Sequence, residues 1–107
     1  MSEYLIGGLY SVRSGDRFKV AKVLAFDDDG VHIRLYKETF SARPKITEIL
    51  ILTLGKMGDD EFGIGHLPVA RASFVRWEPA FIAQENVLPD ELEGYELWKS
   101  GSGGFWT

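Results

Sequence analysis

Two histidines and two acidic clusters are the residues of this chain best suited by type to do chemistry. Asp27, Asp28 and Asp29 precede Gly30, and Asp59, Asp60 and Glu61 lie in the glycine-punctuated stretch GKMGDDEFG. A calcium loop of the EF-hand kind sets its acids at alternate positions and ends on a distal bidentate glutamate. DDDG has consecutive acids, and Glu38 falls on the far side of an expected strand, so the stretch reads as a turn. The second cluster reads as a solvated loop. His32 and His66 form no H-x-x-x-H pair, so the helical zinc-hydrolase arrangement is missing. His66 stands in GIGHLP, a rigid setting where a lone histidine usually hydrogen-bonds the local backbone. Ser73 lacks the G-x-S-x-G elbow of a nucleophilic serine, and GSGG near the end lacks the Lys-Ser/Thr of a phosphate loop. Gly7-Gly8 is no dinucleotide fingerprint. The absence of cysteine excludes disulfides, thiolate zinc sites and thiol nucleophiles. The expectation is a non-enzymatic protein with no catalytic residue, no metal and no cofactor.

The elements that would position these residues are mostly strands. Leu5–Val12, Phe18–Phe26 and Val31–Tyr36 are rich in β-branched and aromatic residues. Ser14-Gly15-Asp16 separates the first two. Lys37–Lys45 is a loop, and ITEILILTL, Ile46–Leu54, carries the strongest strand signal, apolar on both faces and so central or doubly covered. Ile64–Leu67 is a short strand, Ala70–Trp77 a short helix that must stop before Pro79, and Ala80–Glu85 a last strand. Pro89–Ser100 is a clear helix: proline opens it, Asp90, Glu91 and Glu93 suit its positive end, and Gly101 stops it. Leu88, Leu92, Tyr95 and Trp98 make its apolar stripe. Strands at short intervals without intervening helices predict a mainly β (α+β) fold: a small antiparallel, barrel-like, strongly bent sheet of about five strands, with a short helix near 70–77 and a C-terminal helix near 89–100. At 107 residues this is one domain over 1–100. A glycine-rich tail, 101–107, would dock through Phe105 and Trp106.

The hairpin VLAFDDDGVHIRLY fixes the candidate site. A loop of Asp27–Gly30 pairs Phe26 with Val31 and Leu24 with Ile33. A loop of Asp29-Gly30 alone pairs Phe26 with Ile33. Gly30 supplies a positive φ in either turn. Both registers put Leu24, Phe26, Val31, Ile33 and Leu35 on the core face. They put Ala21, Val23, Ala25, His32, Arg34 and Tyr36 on the other. That second face either lies under the C-terminal helix or tail, or is a recognition surface formed by His32, Arg34 and Tyr36 with His66 nearby. Arginine and tyrosine are favoured interface residues.

GDRFKVAKVLAFDDDGVHIRLY resembles the opening hairpin of small Tudor, chromo-barrel and wider Src-homology-3-like barrels. The matching features are Gly15, Asp16, Ala21, Lys22, Val23, Leu24, the acidic turn and Tyr36. The likeness covers about a fifth of the chain and implies a binding module, not an enzyme. Tyr10, Phe26 and Tyr36 are the residues that could form an aromatic cage, but the register sets Phe26 opposite Tyr36 across the sheet, so no methyl-lysine cage is carried over.

Charge and hydropathy narrow the partners. No apolar run approaches the roughly 18 residues of a membrane span, and MSEYLIGGLY has no basic n-region, so neither a membrane nor a signal peptide is expected. A cysteine-free chain fits the cytoplasm. The net charge of −4 argues against nucleic acid. Residues 1–50 sum to +1 and 51–107 to −5. The expected partner is a protein, with monomer or homodimer open. One alternative is an inhibitor or immunity-type protein that offers Asp59, Asp60, Glu61, Asp90, Glu91 and Glu93 to a basic partner. Another is a nucleic-acid-binding barrel that uses Arg17, Lys19, Lys22, Arg34, Lys37, Arg43 and Lys45.

Overall fold

The computed structural model describes residues 4–49, 52–55, 63–101 and 104–105. Strand β1 (Gly8–Ser14) turns at Gly15-Asp16 into β2 (Arg17–Phe26). Ser14 and Arg17 are cross-strand partners, so the connection is a two-residue one, and Gly15 takes φ +67°. Such tight connections need a left-handed residue to match the twist of the strands. Strand β3 (Gly30–Leu35) and β4 (Ile64–Ala70) follow, then α1 (Arg71–Arg76), β5 (Ala80–Gln84), a 3-10 turn (Pro89–Leu92) and α2 (Glu93–Ser100). All pairings are antiparallel, in the order β4-β3-β2-β1-β5. The mainly β architecture and both helices are as the sequence predicts. The sheet carries register shifts in three of its pairings but is not closed into a barrel, because β4 and β5 remain its two edges.

Each face of the sheet carries a core. On one, Tyr10, Val12, Ala21, Val23, Val31, Ile33, Leu67 and Val69 pack with Phe74 of α1, bordered by Tyr4, Phe26, Leu35 and Trp77. On the other, Leu9, Val20, Tyr36 and Ile49 pack with Phe40, Leu52, Leu54, Ile82 and Ala83. The two sides are covered differently: α1 closes the first, while the loop after β3 and the C-terminal segment close the second.

The β2–β3 register departs from expectation in an instructive way. Phe26 pairs with Val31, as a loop of Asp27–Gly30 requires, but Val23 rather than Leu24 pairs with Ile33. Leu24 is the extra residue of a β-bulge, and a bulge shifts every residue beyond it to the opposite face. Ala21 and Val23 therefore lie in the first core, and Lys22, the partner of Arg34, comes onto the polar face instead. Gly30 is also not the left-handed residue. It is extended, the first residue of β3, bonded to Asp27 in both directions. A side chain there would collide with Phe105 and with the Val69 carbonyl.

ITEILILTL is not a central strand. Ile46–Glu48 is a 3-10 turn, Ile49 is buried, Leu50 and Ile51 lie outside the described residues, and 52–55 follow without regular structure. The segment runs over the second core. Glu38 takes both the Thr53 N–H (2.9 Å) and its hydroxyl (2.6 Å), so this donor is engaged by a side chain rather than a ladder. The apolar residues on both sides reflect a covering segment rather than a strand between two layers. After α1 the chain turns through Glu78 at φ +54°, a strained value for a non-glycine residue, held by Arg13 Nε at 3.0 Å.

Gly15 tests the turn. Nothing lies within 4 Å of a Cβ added there, so only backbone strain should count. Gly15→Ala should lower stability in urea unfolding by about 1–2 kcal/mol, and Gly15→Asn by less, because asparagine tolerates the left-handed region.

Candidate functional site

The bulge that moves Lys22 places four polar side chains on one sheet face: Lys22 from β2, His32 and Arg34 from β3, and His66 from β4. The sequence put His66 in GIGHLP, within the short strand Ile64–Leu67. It lies within β4, which runs through GHLP to Ala70.

His32 is fully buried and hydrogen-bonded at both nitrogens. Its Nε2 lies 2.5 Å from Asp27 Oδ2, and its Nδ1 lies 2.9 Å from His66 Nε2. The two imidazole planes are within 6° of each other with centroids 5.1 Å apart. Together with the short N–N distance, this describes rings joined edge to edge in nearly one plane rather than stacked. A carboxylate can only accept, so His32 gives Asp27 the Nε2 proton. When both rings are neutral, His32 Nδ1 then accepts from His66. Burial, and next the neighbouring His32, hold the His66 pKa below the usual histidine value.

The C-terminal segment covers this chain of bonds. Tyr95 and Trp98 of α2 set their rings against His32 at 4.6 and 4.4 Å, and Phe105 lies at 5.6 Å. Gly94 lets the helix rest directly on His66, since a Cβ there would come within 2.6 Å of His66 Cβ. The Trp98 indole N–H donates to the Gly104 carbonyl at 3.0 Å, which ties Phe105 to the helix. Trp106 lies outside the described residues.

A second buried cluster sits beside the first. Lys22 is 2% exposed, and its ammonium donates to the Asn86 carbonyl (2.7 Å), Glu91 Oε1 (2.9 Å) and Glu85 Oε1 (3.4 Å). Glu91 Oε1 also accepts the Leu88 N–H at 2.8 Å, and its Oε2 lies 3.7 Å from Arg34 Nε. That Arg34 nitrogen is buried and has no hydrogen-bond partner among the described residues. Burial raises the Glu91 pKa, but the bonds from Leu88 and Lys22 and the charges of Lys22 and Arg34 outweigh it and hold the carboxyl below its usual value. Tyr36 lies in the second core, where burial, and next the Glu91 charge, push its phenol up to about 12.

The structure thus brings His32 and His66 into contact, leaves Arg34 half-buried beside Glu91, and buries Tyr36 among Leu9, Val20 and Ile49. The face is covered, not open. Tyr10 and Phe26 pack on the first core and Tyr36 on the second, so these three form no cage. Lys22 and Arg34 are committed to Glu91, which takes two cations out of the basic set and one carboxylate out of the acidic set. Asp59, Asp60 and Glu61 lie outside the described residues.

The sequence reading named Asp27 as a turn residue, Lys22 as a cation for nucleic acid and Glu91 as an acid for a basic partner. It missed their part in this site, as it missed the two glycines, Gly30 and Gly94, that seat the cover. One signal for Lys22 was available: a lone lysine inside VAKVLA must be neutralised wherever the strand is buried on both faces. No family model, curated protein or solved structure matches the chain.

Lys22→Met should cost about 3–5 kcal/mol in chemical unfolding, since it strands a buried carboxylate. The Lys22→Met/Glu91→Leu pair should recover part of that loss, because it removes both charges together but leaves Arg34 and the Leu88 N–H without Glu91.

Proposed function

We propose that the chain is a non-enzymatic protein-interaction module that binds an extended segment of a protein partner along β5. The observation that carries this reading is the edge itself. Strand β5, AFIAQ, has no charge and no proline, and its outer side has no ladder partner among the described residues. Sheet edges are normally blunted by charge, proline or a cover, and the opposite edge, β4, carries Pro68. An unguarded edge offers backbone groups to an added strand, while pockets beside it select side chains.

Both kinds of contact are present. Phe81 is 54% exposed and lies against Tyr10, available to a partner on one face. A hollow of about 260 Å³, lined by Leu9, Ile46, Ile49, Ala83, Gln84 and Glu85, lies beside the same strand. Ile46 on its rim is also exposed.

Two further points support binding over catalysis. The groups able to do chemistry are engaged with one another: His32 with Asp27 and His66, Lys22 with Glu91. The resemblance of residues 15–36 to small barrel modules leads to the same reading.

Phe81→Lys and Ile46→Lys test it. Both sites are exposed, so each change should alter stability by no more than about 0.5 kcal/mol. Affinity for a partner captured by the wild-type protein, measured by calorimetry, should fall on the order of tenfold or more with Phe81→Lys. Leu97→Lys on the exposed side of α2 should leave it unchanged. Equal affinity for the wild type and Phe81→Lys would overturn the β5 assignment.

A further inference from the structure

The C-terminal cover rests on a pair of histidines that share one proton, and its helix is thinly attached. None of the residues of α2 is buried, and Leu97 is 69% exposed. The helix touches the sheet where Gly94 rests on His66 and where Tyr95 and Trp98 meet His32. The 3-10 turn just before it is held differently, by Glu91 bonded to buried Lys22. We propose that acidification undocks α2 and Phe105 from the sheet, with the His32–His66 pair as the trigger and the Lys22–Glu91 contact as the hinge.

The trigger follows from counting protons. With Asp27 accepting from His32 Nε2, a single hydrogen lies between His32 Nδ1 and His66 Nε2, 2.9 Å apart. One added proton preserves that bond, since either ring can be the donor, and the Asp27 carboxylate stands at the far end of the chain. A second proton puts an N–H on both facing nitrogens, which cannot share that distance, and sets two like charges side by side. His66 must then part from His32, and Gly94 and the aromatic rings of α2 rest on those two residues.

The charges around the pair do not remove this conflict. From the turn comes Asp27, whose carbonyl holds Arg71 Nη2 at 3.2 Å, with Asp29 accepting the Arg71 N–H. From β3 comes Arg34, turned toward Glu91. From α2 come Tyr95, with Lys99 Nζ 5.8 Å from its ring centre, and the exposed Glu93 and Glu96. Phe105 brings no charge. Apart from Asp27, no carboxylate among the described residues is paired with either imidazole.

The sign agrees. The His66 pKa is lowered in the docked state, so its contribution is fully present above the ordinary value of 6.5 and is lost as pH falls through the docked value. Glu91 is held below its ordinary 4.5, so its contribution persists to more acid pH. The helix is therefore released before the hinge.

Two-dimensional NMR between about pH 7.5 and pH 5, the range in which histidine changes charge, reads this directly. The Trp98 indole and the amides of 93–101 should move to solvent-exposed positions on acidification, while those of β1–β5 and Glu91 stay in place. The opening equilibrium should grow by up to about tenfold per pH unit for each proton taken up. His66→Asn, which cannot take up a proton, should stay docked throughout. Gly94→Val should be undocked already at neutral pH. Asp27→Asn, which removes the anion that favours the charged pair, should move the midpoint to lower pH, and it decides the matter if His66→Asn does not dock. Unchanged Trp98 signals in the wild type, melting of the sheet together with α2, an unaltered pH curve in docked His66→Asn, or an unmoved midpoint in Asp27→Asn would overturn the proposal.

Discussion

A lysine in the middle of a strand that is paired on both sides cannot reach water along the sheet. Lys22 occupies that position in β2, opposite Arg34, and its ammonium must be met by acceptors that arrive from above the face. Leaving such a charge unpaired costs several kcal/mol. The C-terminal segment answers this requirement: Asn86 and Glu91 supply the acceptors, and the Leu88 N–H and the Arg34 charge help keep the carboxylate ionised. The path of the chain after β5 thus follows from one cation, and the aromatic cover of the histidines follows from that path.

The two sheet faces solve the burial problem by different means. One is closed by α1 in an apolar way, with Phe74 fully buried and in edge contact with Tyr4 and Trp77. The other combines apolar packing at the Tyr36 end with paired charge and imidazole at the His32 end. Polar groups cost little in such a place only when each has a partner, and Arg34 Nε is the member that lacks a hydrogen-bond partner among the described residues. The polar half of this face is accordingly where the fold is least committed.

What the sequence made legible was local. Turn residues, β-branched runs and the proline-opened helix located all five strands and both helices, because these signals act within a few residues. ITEILILTL misled for a physical reason: a segment covering an apolar face and a strand between two layers demand the same composition, and only the hydrogen-bond partners separate them. The bulge at Leu24 was equally hidden, since VLAF is apolar in either register. His32 and Arg34 could be assigned to a polar face because alternation within β3 is regular. Their partners could not, because Lys22 and Glu91 lie 69 positions apart and His32 and His66 lie 34 apart. Contacts at that separation leave no periodic trace.

The order of the chain gives the sheet a direction in time. Strand β1 gains its second neighbour only from β5, and Lys22 gains its acceptors only from Glu85, Asn86 and Glu91. A chain emerging from the ribosome exposes the long β1–β2 hairpin early, with one flank of β1 unpaired and a cation facing nothing. The residues before β5 therefore remain a half-finished surface, available to chaperones, until the segment from Ala80 onward closes both gaps.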